Sequence, residues 1–106
     1  MPKYLSLGSY TVDGIQGVLK DGGTGRRKAV QSAIEAMGGT MEAYYFAFGE
    51  HDVVVISDVP DNVTAAALAM GIGSTGTVRL KTTVLITPEE LDEATKKTVA
   101  FRAAGR

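Results

Sequence analysis

The sequence predicts one α+β domain in the order β-α-β-β-α-β with a trailing helix. Three observations carry this. Val53-Val54-Val55-Ile56 is four β-branched aliphatics in a row, which reads as a strand covered on both faces. Two stretches, around Ala29–Met37 and Val63–Met70, repeat apolar residues at helical spacing and lie between strand-like segments. Finally, Thr87-Pro88-Glu89-Glu90 is a capping box with proline at the first helical position, so a last helix opens there. In 106 residues, helices can cover one face of the Val53–Ile56 strand. The other face then calls for a second copy of the chain.

Each element follows in turn. Tyr4 to Tyr10 reads as a strand, with Leu5 and Leu7 on one face and Tyr4, Ser6, Gly8 and Tyr10 on the other. Thr11 is placed to cap a short helical turn in which Ile15, Val18 and Leu19 share a face. Asp21-Gly22-Gly23-Thr24-Gly25 interrupts that turn, and a stronger helix starts at Thr24. It carries Ala29, Val30, Ala33, Ile34 and Met37, and Gly38-Gly39 stops it. Thr40 to Phe48 and Asp52 to Ser57 are the next two strands, and the turn Gly49-Glu50-His51 makes them an antiparallel hairpin.

Asp61 opens the second helix, whose expected face is Val63, Ala66, Ala67 and Met70. Gly71 to Gly76 is expected as a flexible connection, and Thr77 to Ile86 as the fourth strand. There Val78, Leu80 and Val84 lie opposite Arg79, Lys81 and Thr83. The last helix is expected to hold Leu91, Ala94 and Phe101 and to fray after Ala103. No repeat or linker divides the chain, so residues 1–106 read as a single domain. This order is the split βαβ, or ferredoxin-like, arrangement: a four-stranded antiparallel sheet with the first and third strands in the middle, here with an extra C-terminal helix.

Composition narrows the functional classes. There is no cysteine, which excludes disulfides, thiolate metal sites and a cysteine nucleophile. One histidine, His51, is too few for a multi-histidine metal centre, and no cofactor is called for. Eleven basic against twelve acidic residues give a net charge of −1, without the electrostatic footprint of a nucleic-acid binder. No apolar run approaches the ~20 residues of a membrane span, so a cytoplasmic protein is expected.

Several short motifs, in order, resemble those of the GYD domain family of small bacterial proteins. They are Tyr10-Thr11-Val12-Asp13-Gly14, Gly22-Gly23-Thr24-Gly25-Arg26 and Ala36-Met37-Gly38-Gly39. Phe48-Gly49-Glu50-His51-Asp52-Val53-Val54, Pro60-Asp61 and Thr64-Ala65-Ala66-Ala67-Leu68 continue the series. The resemblance covers nearly the whole chain and implies a dimeric α+β barrel, in which two ferredoxin-like sheets pack face to face. It departs at the name-giving motif, where His51 stands in place of the family's usual tyrosine.

Three candidate sites emerge. Arg26, Arg27 and Lys28 sit beside a helix start, where cations oppose the macrodipole and a bound carboxylate or phosphate would resolve the conflict. A solvated basic patch paired with Asp21 or Glu35 is the plainer alternative. The second site is the sheet face expected to point away from the helices. It groups Tyr4, Ser6, Gly8 and Tyr10 with Arg79 and Lys81, as a cavity lining or as dimer packing. The third is His51 near Glu50 and Asp52, a weak candidate general base, because adjacent strand residues point to opposite faces.

Tyr10, Arg26, Tyr44 and His51 are the expected ligand-binding residues. The leading functional expectation is a homo-oligomer that binds a small polar or anionic ligand in a sheet-lined cavity. A structural or regulatory interaction protein is one alternative. A cofactor-independent oxygenase or isomerase of the dimeric α+β barrel type is another, by fold-level analogy. RNA binding fits poorly, since RNA-binding sheets expose aromatics on the central strands.

Overall fold

A computed structural model describes residues 1–106. Its elements are β1 (Lys3–Tyr10), α1 (Val12–Ala36), β2 (Thr40–Phe46), β3 (Val53–Asp58), α2 (Asn62–Gly73), β4 (Val78–Leu85) and α3 (Pro88–Thr95). The four strands form one sheet in the order β2-β3-β1-β4, and every neighbouring pair is antiparallel. This is the ferredoxin-like arrangement, with β1 and β3 central.

The register assigns residues to faces. Tyr4 lies opposite Ser57, Ser6 opposite both Val55 and Thr82, and Gly8 opposite both Val53 and Leu80. These side chains share the face that α1 and α2 cover, and Tyr4, Ile34, Val53, Val55, Val59 and Ala65 form the buried core there. The other face carries Leu5, Leu7, Val54 and Ile56, all only half-buried, together with exposed Tyr45, Arg79 and Lys81. At its end Lys3 pairs with Glu42 and Asp58. Glu42 reaches Lys3 from an irregularity in β2 between Met41 and Ala43.

The expected face assignment is therefore reversed for β1 and holds for β4, so the expected grouping of the two is undone. Tyr4, Ser6, Gly8 and Tyr10 point toward the helices, and Arg79 and Lys81 lie on the opposite face with Leu7 and Ser9. Alternation sorts the residues of each strand into two sets but does not say which sets of neighbouring strands share a face, or which face the helices cover. The helices cover the set with the aromatic Tyr4 and the small Gly8. A Cβ at Gly8 would meet Val53 Cγ1 at 2.6 Å, so the space it leaves is filled by core side chains and is not cavity.

The helices start and stop for local reasons. Thr11 caps α1 by accepting from the Gly14 N–H at 3.2 Å. Gly14 then sits against β4's entry, where a Cβ would lie 1.8 Å from the Thr77 carbonyl oxygen. Inside α1, Gly22 alone leaves helical geometry, with φ 76° and ψ 167°. This places the expected break at one residue and divides α1 into two helical segments.

Asp61 caps α2, accepting from the Thr64 N–H at 2.8 Å and the Thr64 hydroxyl at 2.7 Å; these bonds hold its carboxyl below the usual range. Tyr4 donates to the Asn62 side chain and ties β1 to this helix start. Two expectations for α2 are corrected. It runs through Gly71 to Gly73 rather than ending in a loop. Its inward residues are Ala65, Leu68, Ala69 and Ile72, while Val63 and Met70 are exposed.

The capping box at Thr87 forms as expected, with the Glu90 N–H bonding Thr87 Oγ1 at 3.0 Å and the Thr87 N–H bonding Glu90 Oε1 at 2.9 Å. The helix it opens ends at Thr95, short of the expected Ala103, and buries none of its residues. Without an apolar surface to pack on, eight residues are all that the cap sustains. The chain has 56 × 33 × 22 Å extents and a 16.9 Å radius of gyration, against ~13 Å for a compact chain of this length. Only 11 of 106 residues are buried, a core too small for the apolar surface the chain carries.

Candidate functional site

Between the sheet and the two long helices lies a cavity of about 70 Å³. Its walls are apolar: Val30 and Ile34 from α1, Ala65, Leu68 and Ile72 from α2, and Val53 and Val55 from the sheet. Such walls arise because the inward positions of β3 are β-branched and the α2 alanines let that helix sit close. Polar groups enter at two places. The hydroxyl residues Ser6, Ser57 and Thr82 contribute to the floor, and Tyr10, Tyr44 and Arg26 contribute to one end.

At that end the Tyr10 and Tyr44 hydroxyls lie 3.5 Å apart. Tyr44 also meets Phe46 edge-on, with ring centroids 5.3 Å apart, which fixes the plane of its ring. Burial pushes the Tyr44 phenol well above the ordinary tyrosine range, the Tyr10 hydrogen bond adds to this, and the Arg26 guanidinium opposes it. At neutral pH the phenol is a proton-bearing donor. Arg26 stands just past the Gly22 break and bonds Asp21, on the other side of that break, at 3.3 Å. The break turns Arg26 inward, whereas Arg27 and Lys28 are exposed on the outer surface of the helix.

Three of the four expected ligand-binding residues, Tyr10, Arg26 and Tyr44, thus line one cavity, and His51 lies outside it. His51 sits in the β2–β3 connection, where its Nδ1 is buried without a hydrogen-bond partner. Asp52 does not orient it. The Asp52 carboxylate accepts from the Tyr10 N–H at 2.8 Å, and its own N–H donates to the Gly8 carbonyl at 2.8 Å. Asp52 therefore fastens the hairpin to the end of β1.

Sequence reasoning missed Ser57 and Thr82. The signal was present for Ser57, two and four residues after Val55 and Val53 and hence on their face. Thr82 lies between Leu80 and Val84 on their face of β4, and its register partner Ser6 brings it to the cavity floor. No helix is long and apolar enough to cross a membrane, and no group of histidine and carboxylate side chains is placed to hold a metal ion.

Comparison with known proteins gives one match: the family model of the GYD domain fits residues 4–95. That span takes in the sheet except Lys3, α1 and α2, every residue lining the cavity, and α3 through its last residue. No curated protein and no solved structure matches significantly. The chain belongs to the GYD domain family.

Proposed function

We propose that this protein binds a small molecule in the cavity between sheet and helices, and that it works as a homodimer. The observation that carries the first part is the cavity itself, an apolar chamber whose polar end joins Tyr10, Tyr44 and Arg26 from three elements. Apolar walls with a few convergent polar groups are the usual design of a small-molecule site. Tyr44 and Tyr10 orient a polar group of the ligand, and Arg26 supplies charge.

The dimer reading is supported by the open sheet face. Leu5, Leu7, Val54 and Ile56 form a contiguous aliphatic patch across the two central strands. A second copy of the same face is its economical cover, because an isologous contact matches apolar centre to apolar centre. The arm beyond β4, with exposed Leu91, Val99 and Phe101, covers nothing in its own subunit and is available to extend that contact.

Thermal-shift screening of purified protein against chemically diverse metabolites tests the binding reading. A bound class raises the melting temperature, and uniformly flat melting temperatures reject the reading. Sedimentation equilibrium tests the dimer, for which a monodisperse 11.1 kDa species is the opposing result. The same aliphatic face favours a second reading, an interaction protein that offers it to a different partner. A stable heteromeric complex with an empty cavity would select that reading.

A further inference from the structure

The polar end of the cavity is rich in donors and short of acceptors. Two phenols 3.5 Å apart share at most one hydrogen between them, which leaves one O–H free to donate. A guanidinium carries five N–H donors, and Arg26 makes its one hydrogen bond to Asp21. That contact is long, at 3.3 Å, and the carboxylate is partly exposed. The rest of the chamber is aliphatic apart from the floor hydroxyls. Ser6 and Thr82 face each other across β1 and β4, and Ser6 and Tyr44 both flank Val55 from neighbouring strands. Two strand spacings, ~10 Å, therefore separate the backbones of Ser6 and Tyr44, and the Tyr44 ring spans part of that distance.

We propose that the ligand class is a small organic carboxylic acid with a short aliphatic body, as a cavity of about 70 Å³ requires. Its carboxylate takes the guanidinium of Arg26 and the free phenol O–H of the Tyr10–Tyr44 pair. The proposal rests on the small-molecule reading above and deepens it. Donor excess selects an acceptor, and the guanidinium, the one charged group lining the cavity, selects an anion over a neutral amide or alcohol. Tyr44 remains a donor at neutral pH because its phenol holds its proton there.

Asp21 has a defined part in this arrangement. It lies outside the cavity lining, on the first segment of α1, and bonds Arg26 on the second. The pair keeps the site neutral when no ligand is bound, and the unused N–H groups of the guanidinium are left for the ligand carboxylate. Removing the Asp21 charge, which repels a second carboxylate, strengthens binding of acids and leaves neutral compounds unaffected.

Calorimetric titration of the full-length protein at pH 7 tests this with isosteric pairs small enough for the cavity, propionate against propionamide and isobutyrate against isobutyramide. An acid should bind about tenfold or more tightly than its amide, as expected for a charge-assisted hydrogen bond gained. Arg26→Gln should bring the acid down to the amide's affinity, Asp21→Asn should tighten the acid alone, and Arg27→Gln should change neither. Circular dichroism confirms that each variant is folded, and Arg26→Lys, which keeps the charge, should retain part of the preference. Equal binding of acid and amide, or tighter binding of the amide, overturns the carboxylate proposal and leaves the cavity reading standing. Absence of binding by all four probes, with a flat metabolite screen, overturns both.

Discussion

The two faces of the sheet are made from the same strands and differ in what they enclose. The face under the helices contains Tyr4, Ser6, Gly8, Tyr10, Val53, Val55 and Ser57, a mixture of aromatic, hydroxyl-bearing and small residues. The open face presents Leu5, Leu7, Val54 and Ile56, which are uniformly aliphatic in the middle. Average hydrophobicity would bury the second set. The fold covers the first and leaves a chamber among its unequal side chains. A uniform aliphatic surface instead suits a self-complementary contact. The covered face thus fits the proposed binding site, and the open face the proposed interface.

The sharpest way to break this comparison is to place a charge on each face of β3. Val55→Asp puts a carboxylate into the core without a partner, at a cost of several kcal/mol against a total stability of ~5–15, so the chain should fail to fold by circular dichroism. Val54→Asp, one residue away, should leave a folded subunit and abolish the dimer in sedimentation. Equal unfolding by both substitutions would show that the faces are energetically alike.

Gly14→Ala tests how tightly α1 is seated on the covered face. Its Cβ would lie 1.8 Å from the Thr77 carbonyl oxygen, so the backbone must shift. Overpacking of this kind costs ~1–3 kcal/mol, which a denaturant titration resolves. An unchanged midpoint would mean that the helix start is loosely held.

A smaller effect is expected at high pH. The Tyr44 phenol is raised above its ordinary value of 10.0, so the folded state binds its proton more tightly than the unfolded state does. Its contribution is fully present below pH 10 and is lost as the pH rises beyond that. Tyr44→Phe should flatten the alkaline fall in melting temperature, and an identical alkaline limb would show that the phenol is not held in the cavity wall.

The smallest effect belongs to the arm, which lies on neither face. Thr87→Ala removes the cap oxygen that accepts from the Glu90 N–H, a local loss of ~1 kcal/mol. Because α3 buries none of its residues, the substitution should speed hydrogen exchange over residues 88–95 without moving the midpoint of subunit unfolding. A lowered midpoint at concentrations where the dimer forms, and not in dissociated subunits, would place the arm in the interface.

The elements of this fold were legible because their causes are local. Thr11, Asp61 and Thr87 announce helix starts through side chains that bond the N–H groups just after them. Gly22 marks the break in α1 by a positive φ that other residues rarely adopt. The apolar run at Val53–Ile56 and the β-α-β-β-α-β order led to β3 at the centre of the sheet. Tyr10, Arg26 and Tyr44 could be named as residues with spare hydrogen-bonding capacity. What required tertiary structure was which side of the sheet faces the helices, which face of α2 is buried, and where the last helix stops. Strand alternation is symmetric between the two sides of a sheet, and the alanine-rich α2 is apolar nearly all round, so neither pattern chooses a direction. The choice is made by contacts between residues distant in the chain: Tyr4 with Asn62, Gly14 with Thr77, and Ser6 with Thr82.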